Sequence, residues 1–185
     1  LEKLLEFETK YTTKSKPSLN FMIKKGILPE LNKLKYKRKN IVGIICSHAH
    51  LDHIGAIPYL ARKLNCNIYA TPFTANVIKS ICDSKFNFSK VKSMPTNAKF
   101  NISGINIEFI PVAHSTPQSI IIAIHTSAGT IMYANDFKLQ SGFLKDSQTN
   151  LELLKPYKDK IKLMFLDCLY SSSNGSCASE LDVQK

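Results

Sequence analysis

Apolar positions along this chain have two textures. Up to residue 40 their periodicity is weak. Leu1, Leu4 and Leu5 read as the end of a helix, the Lys-Ser-Lys-Pro stretch ending at Pro17 as loop, and Gly26-Ile27-Leu28-Pro29 as a turn. From Ile41 the pattern sharpens. The continuous apolar run Ile41-Val42-Gly43-Ile44-Ile45-Cys46 predicts a buried strand. A His-rich loop follows, and Ile57, Leu60, Ala61 and Leu64 at helical spacing predict a helix over Ala56 to Leu64. Asn67 to Ala70 reads as a short strand, and Pro72 stands where a helix running to about Cys82 would start. The second half is strand-rich: Ile105 to Val112, Ser119 to His125 and Thr130 to Ala134, the last two joined by the hairpin-length turn Thr126-Ser127-Ala128-Gly129. Leu151 to Leu154 reads as a short helix ahead of Pro156, and Lys162 to Asp167 as a final buried strand. From Ser171 the composition turns Ser-rich and linker-like. The reading divides the chain into a basic lead-in (1–40), a core (41–170) and a linker (171–185), with the element order of a mixed α/β layered domain.

Composition narrows the class. The chain has 185 residues, of which 44% are apolar and 21% charged, enough for one domain with a buried core. No apolar run reaches the roughly 18–20 residues of a membrane span. Its first residues, Leu1-Glu2-Lys3-Leu4, contain neither an initiating Met nor a signal-peptide core, and the reading is that of a fragment. Lys and Arg number 25 against 14 acidic residues, a net charge of +11, and only Arg38 and Arg62 are arginines. Such a surplus favours polyanions, held through their backbone phosphates because ammonium groups are point charges with little base specificity. The five cysteines (Cys46, Cys66, Cys82, Cys168, Cys177) form no C-x-x-C pair. That fits a reducing, cytoplasmic compartment, with Cys46 and Cys168 as small apolar residues at strand ends.

The chemistry concentrates in Ser47-His48-Ala49-His50-Leu51-Asp52-His53, which holds three imidazoles and a carboxylate directly after a strand. A helix cap at Ser47 or Asp52 would explain one of these residues and not the three histidines. In an extended loop His48 and His50 point to one side and can face one cation. A tight turn into the helix at Gly55 would swing Asp52 and His53 toward a second position. Imidazole and carboxylate are the ligands of open, catalytic zinc sites, whereas thiolates mark structural ones. His114 and Asp136 each follow a strand and complete a set large enough for two metals, with Asp136 placed to bridge them. His125, before the hairpin turn, reads as structural.

The series His48-x-His50-x-Asp52-His53, then His114, then Asp136 resembles the metallo-β-lactamase superfamily. Its surroundings, His53-Ile54-Gly55-Ala56-Ile57-Pro58, His114-Ser115-Thr116-Pro117-Gln118-Ser119 and Asp136-Phe137-Lys138, are similar to the β-CASP ribonucleases of the ribonuclease J type. The resemblance covers residues 21–170. It implies an αββα sandwich, here incomplete, with the family's N-terminal strands and β-CASP domain absent. It further implies two Zn(2+) ions: His48, His50 and His114 on the first, Asp52, His53 and Asp136 on the second, Asp136 shared. The activity implied is hydrolysis of RNA phosphodiesters by a zinc-bridging hydroxide, with Asp52, His53 and Asp136 as the catalytic group, RNA held through lysines, and no membrane partner. Self-association would run through the absent regions.

Ser115 and Ser119 would orient the loop bearing His114. The chain departs from the family at Asn135, where Gly is usual and where Asn can supply unusual backbone angles, and at Asp167-Cys168, where an acidic residue precedes Ser or Thr. Two other readings remain: a small-molecule hydrolase of the same fold, such as a thioesterase or lactonase, and an inactive piece that binds only metal or RNA. A fragment of this kind is expected to show an open sheet edge and exposed apolar surface.

Overall fold

The computed structural model describes residues 18–31, 33, 39–139, 149–169 and 171–175. The expected helix end at Leu1, Leu4 and Leu5, the loop ending at Pro17, Arg38 and Cys177 lie outside these residues. The first described element is a helix the apolar pattern did not predict, α1 (Leu19–Lys24), too short to display a helical period. Ser18 caps it by accepting a hydrogen bond from the Phe21 N–H at 3.3 Å.

The first layers follow from alternating strand and helix: β1 (Gly43–Ile45), α2 (Leu51–Ile54), α3 (Ile57–Leu64), β2 (Asn67–Ala70), α4 (Pro72–Ile81) and β3 (Val91–Ser93). The three strands pair in parallel in that order, with Ile44 opposite Ile68 and Ile68 opposite Val91. Parallel neighbours require crossovers, and the helices provide them. Successive side chains serve opposite faces: Ile68 and Ala70 pack under the helices with Ile57, Ala61 and Ile78, while Ile45 and Tyr69 face the second sheet. Apolar demand on both faces is why these strands read as unbroken apolar runs. The expectation of a buried strand at 41–46 is corrected in degree, because among the described residues β1 lies at the edge of its sheet and is half-buried.

The second sheet has the order β4 (Lys99–Ile102), β5 (Ile105–Pro111), β6 (Ile120–Thr126), β7 (Gly129–Ala134), β8 (Ile161–Leu166). Strands β4 to β7 are antiparallel neighbours, and β8 runs parallel to β7. Ile107, Phe109, Ile120 and Ile122 pack toward the first sheet. Ile110, Ile121, Ala123, Met132 and Ala134 face outward, where Leu154 and Tyr157 of a 3-10 helix (Leu151–Tyr157) cover them. The layering is helix, sheet, sheet and a short outer helix, the arrangement expected for an αββα sandwich.

Three differences have physical causes. Strands β3 and β4 carry Lys92, Ser93, Lys99 and Asn101 on exposed positions and lack an apolar run. The available signal was Ser103-Gly104 between Ile102 and Ile105: both turn residues have positive φ, 49° and 88°, the pair of angles a two-residue hairpin turn needs. The expected "loop" after His50 is a helical turn, since α2 begins at Leu51, so the chain bends four residues before Gly55. The final strand, expected to be buried, is exposed throughout: among the described residues β8 pairs only with β7, and Leu163, Phe165 and Leu166 are 46%, 53% and 55% exposed. Cys168, expected to be a small apolar residue at that strand's end, is likewise exposed, whereas Cys46 is buried.

Candidate metal centre

The centre forms where the two sheets meet. The segment leaving β1 is stitched to both: Cys46 N–H donates to Tyr69 O at 2.9 Å in one sheet, and Ser47 O accepts from Ile120 N–H at 3.0 Å in the other. This fixes His48, which is fully buried, immediately behind the point of entry. His50 is the N-cap residue of α2 with extended backbone, its carbonyl accepting from His53 and Ile54 N–H at 3.0 Å each. Its ring makes no cap bond and is left to face the centre. Asp52 and His53 ride on the first turn of α2.

The other two members arrive from the second sheet. His114 follows β5 and Asp136 follows β7, and an antiparallel bridge between Ala113 and Lys138 clamps their loops together. Lys138 N–H donates to Ala113 O at 2.8 Å, and Thr149 Oγ1 joins the clamp by accepting from Ala113 N–H at 3.0 Å and donating to Lys138 O at 2.5 Å.

These elements converge on one carboxylate oxygen. Asp136 Oδ2 lies 3.6 Å from His48 Nε2, 3.4 Å from His53 Nε2 and 3.7 Å from His114 Nε2. His114 Nε2 is 3.1 Å from His50 Nδ1, and Asp52 Oδ2 is 3.5 Å from His53 Nε2. The ligand atoms of His48, His50, His114 and Asp136 all fall within 4.8 Å of one another. Donors bound tetrahedrally to zinc at about 2.0–2.1 Å stand roughly 3.3–3.4 Å apart, so these separations suit a shared cation. Two further observations fit a metal. His48 Nε2 is buried without a hydrogen-bond partner, a position that is costly for a polar atom unless something binds it. Burial, reinforced by the neighbouring His53, His114 and His50 rings, also lowers the His48 pKa from 6.5 to about 3. His114 is lowered by burial and by His50. Both rings are therefore neutral near pH 7, with lone pairs available for a cation.

His125 lies elsewhere. It faces Glu108 Oε2 at 3.4 Å, contacts Thr130 Oγ1 through Nδ1 at 3.2 Å and stacks on Tyr157. The serines near His114 both hold its loop: Ser115 Oγ is 3.3 Å from His50 Nε2, and buried Ser119 donates to Thr116 O at 2.9 Å. Asp167 accepts from Leu169 N–H at 2.9 Å in a local turn.

Sequence reasoning missed several contributors. Ser47 Oγ sits 3.0 Å from His48 Nδ1. Gln118, at a left-handed φ of 58°, accepts from Phe73 N–H at 2.7 Å, capping α4 where Thr71 makes no side-chain cap, and its carbonyl accepts from Thr71 Oγ1 at 2.9 Å. Asn135 keeps a negative φ, so the backbone licence expected of it is not used. Its side-chain Nδ2 instead lies 2.9 Å from His53 Nδ1. The contacts of Gln118 and Asn135 have no local sequence signal, because each joins segments remote in the chain.

Residues 17–173 match the beta-lactamase superfamily domain. The chain belongs to the beta-lactamase superfamily. Among relatives, Ribonuclease J of Methanocaldococcus jannaschii is 38% identical over 125 residues, 65% of this chain and 28% of that protein. Ribonuclease J of Helicobacter pylori strain 26695 is 34% identical over 158 residues, 83% of this chain and 23% of that protein. The chain thus spans less than a third of the length of these relatives. Among solved structures, the metallo-beta-lactamase MEM-A1 from a soil metagenome superposes with a TM-score of 0.53 at 14% identity, covering 74% of this chain and 61% of that one. A metallo-beta-lactamase of Cronobacter sakazakii gives 0.52 at 16% identity, covering 74% and 62%. These likenesses establish the fold.

Proposed function

We propose that this chain is the metal-binding part of a ribonuclease J-like hydrolase that cleaves RNA phosphodiester bonds in the cytoplasm. The observation that carries the reading is the convergence of three imidazoles, His48, His53 and His114, on one carboxylate oxygen, Asp136 Oδ2, with the unpartnered Nε2 of His48 among them. The names of the relatives point the same way.

His48, His50 and His114 would hold one ion and Asp52 and His53 a second, with Asp136, in reach of both groups, shared between them. Imidazole and carboxylate without thiolate favour zinc. Bound there, the metal supplies Lewis acidity and makes hydroxide accessible near neutral pH. The chain's residues do the rest. Neutral His48 and His114 keep their lone pairs turned inward. Asp52, whose side chain is 52% exposed, marks the open side from which a substrate reaches the centre. The lysine surplus gives a positive field that attracts a polyphosphate and would hold it without reading bases.

The test begins with zinc content: the purified, folded protein should carry two equivalents, and none would overturn the reading. The full-length enzyme should then hydrolyse RNA and not thioesters or lactones, the reverse result favouring a small-molecule hydrolase. His50→Ala should lower RNA cleavage by a factor of at least about 10²–10³ while retaining RNA binding through lysines. Undiminished cleavage would refute the ligand assignment.

A further inference from the structure

His53 is touched on both ring nitrogens, and the two contacts make opposite demands. Its Nε2 faces Asp136 Oδ2 at 3.4 Å and Asp52 Oδ2 at 3.5 Å. Its Nδ1 faces the Nδ2 amide nitrogen of Asn135 at 2.9 Å, across 82 positions of sequence. A neutral imidazole carries one N–H and one lone pair. With the amide NH₂ donating to Nδ1, the ring proton must sit on Nε2, where it points at two carboxylates. That arrangement is incompatible with Nε2 as a ligand. For Nε2 to present its lone pair, the proton has to reside on Nδ1, and Nδ1–H then needs an acceptor.

We propose that Asn135 is a positioning residue that sets the tautomer of His53. With its NH₂ toward Nδ1 the amide holds the ring proton on Nε2; turned over, its Oδ1 would accept from Nδ1–H and leave the Nε2 lone pair free for an ion. A carboxamide suits this because it offers a donor and an acceptor at one place, exchanged by a half-turn. A carboxylate, the partner often found behind a ligating imidazole, can only accept and would favour one tautomer. Two of the other imidazoles also meet neutral groups: Ser47 Oγ lies 3.0 Å from His48 Nδ1 and Ser115 Oγ 3.3 Å from His50 Nε2. Hydroxyls also both donate and accept. Neutral two-way partners let these rings stay hydrogen-bonded whether or not the ion is present. The inference rests on the metal reading of the centre.

The experiment uses ¹⁵N-histidine NMR and zinc titration of the whole chain. In the wild type, His53 should report Nε2–H without metal and Nδ1–H with zinc. Asn135→Leu, similar in volume but mute, should weaken the ion at His53 by about 10- to 100-fold and leave the His48–His50–His114 ion unchanged. Asn135→Asp, which only accepts, should show Nδ1–H before zinc is added and hold that ion at least as tightly as the wild type. Nε2–H persisting in metal-free Asn135→Asp, or wild-type affinity at both ions in folded Asn135→Leu, would overturn the inference while leaving the metal reading intact. A folded wild type that binds no zinc would instead sink the metal reading itself. Should Asn135→Leu fail to fold, the metal-free spectrum of Asn135→Asp decides the question.

Discussion

His48 shows most plainly how a single residue registers its surroundings. The unfolded chain takes up a proton on this ring near pH 6.5, whereas the folded protein resists protonation until about 3. Between those values the unfolded state binds more protons, so stability falls as the pH falls through that window and is retained above it. Metal-free protein should therefore lose roughly 1.4 kcal/mol between about pH 7.5 and 5.5 from this residue alone, read as a lower urea midpoint. The dependence should flatten in His48→Ala, and a midpoint indifferent to pH would contradict the assigned burial. His48, His50, Asp52, His53, His114 and Asp136 were all legible as candidates because three imidazoles and a carboxylate crowd into one seven-residue stretch and His114 and Asp136 each follow a strand. Ser47 and Asn135 were not legible as their partners. A serine or asparagine looks the same in sequence whether its side chain meets solvent or a ring 82 positions away.

At the level of elements, the short helix α2 sets the position of Asp52 and His53. Gly55 ends it, with its N–H donating to Leu51 O at 2.6 Å. A β-carbon at Gly55 would run into that same carbonyl oxygen, which belongs to the backbone and cannot swing aside. Gly55→Ala should open the turn, cost about 1–3 kcal/mol in the urea midpoint, and weaken the ion at Asp52 and His53 more than the one at His48. Equal affinity at both ions would show that α2 does not set their position. Helices α3 and α4 and strands β2, β5, β6 and β7 were readable because their apolar spacing is regular. The two-residue turn at Ser103-Gly104 was the missed cue for β4. Helix α2 hid inside a polar loop because its residues are chosen for chemistry rather than for a buried face.

Across the whole molecule, the outer edge of the second sheet stands out. Strand β8 continues both faces of its neighbour, Phe165 beside Tyr133 toward the inner layer and Met164 beside Met132 on the outer one, yet among the described residues nothing covers it. An apolar strand with an open edge is a template for association. The 185-residue chain by itself should self-associate at micromolar concentration, and Leu163→Lys with Phe165→Lys should shift it toward monomer in sedimentation experiments. Sedimentation as a monomer without these substitutions would argue that β8 is covered in solution.

Local order in the sequence determined the alternation of strands and helices, the hairpin of β6 and β7, the positive surface and the identity of the metal-binding candidates. These depend on periodicity and residue chemistry, which operate over a few neighbours. Tertiary structure alone decided that Asp136 Oδ2 stands at the meeting point of three imidazoles, that the Ala113–Lys138 bridge clamps two ligand loops, and that among the described residues β8 lies uncovered at an edge. Distances between remote segments depend on how two sheets stack, and no short stretch of chain encodes that by itself.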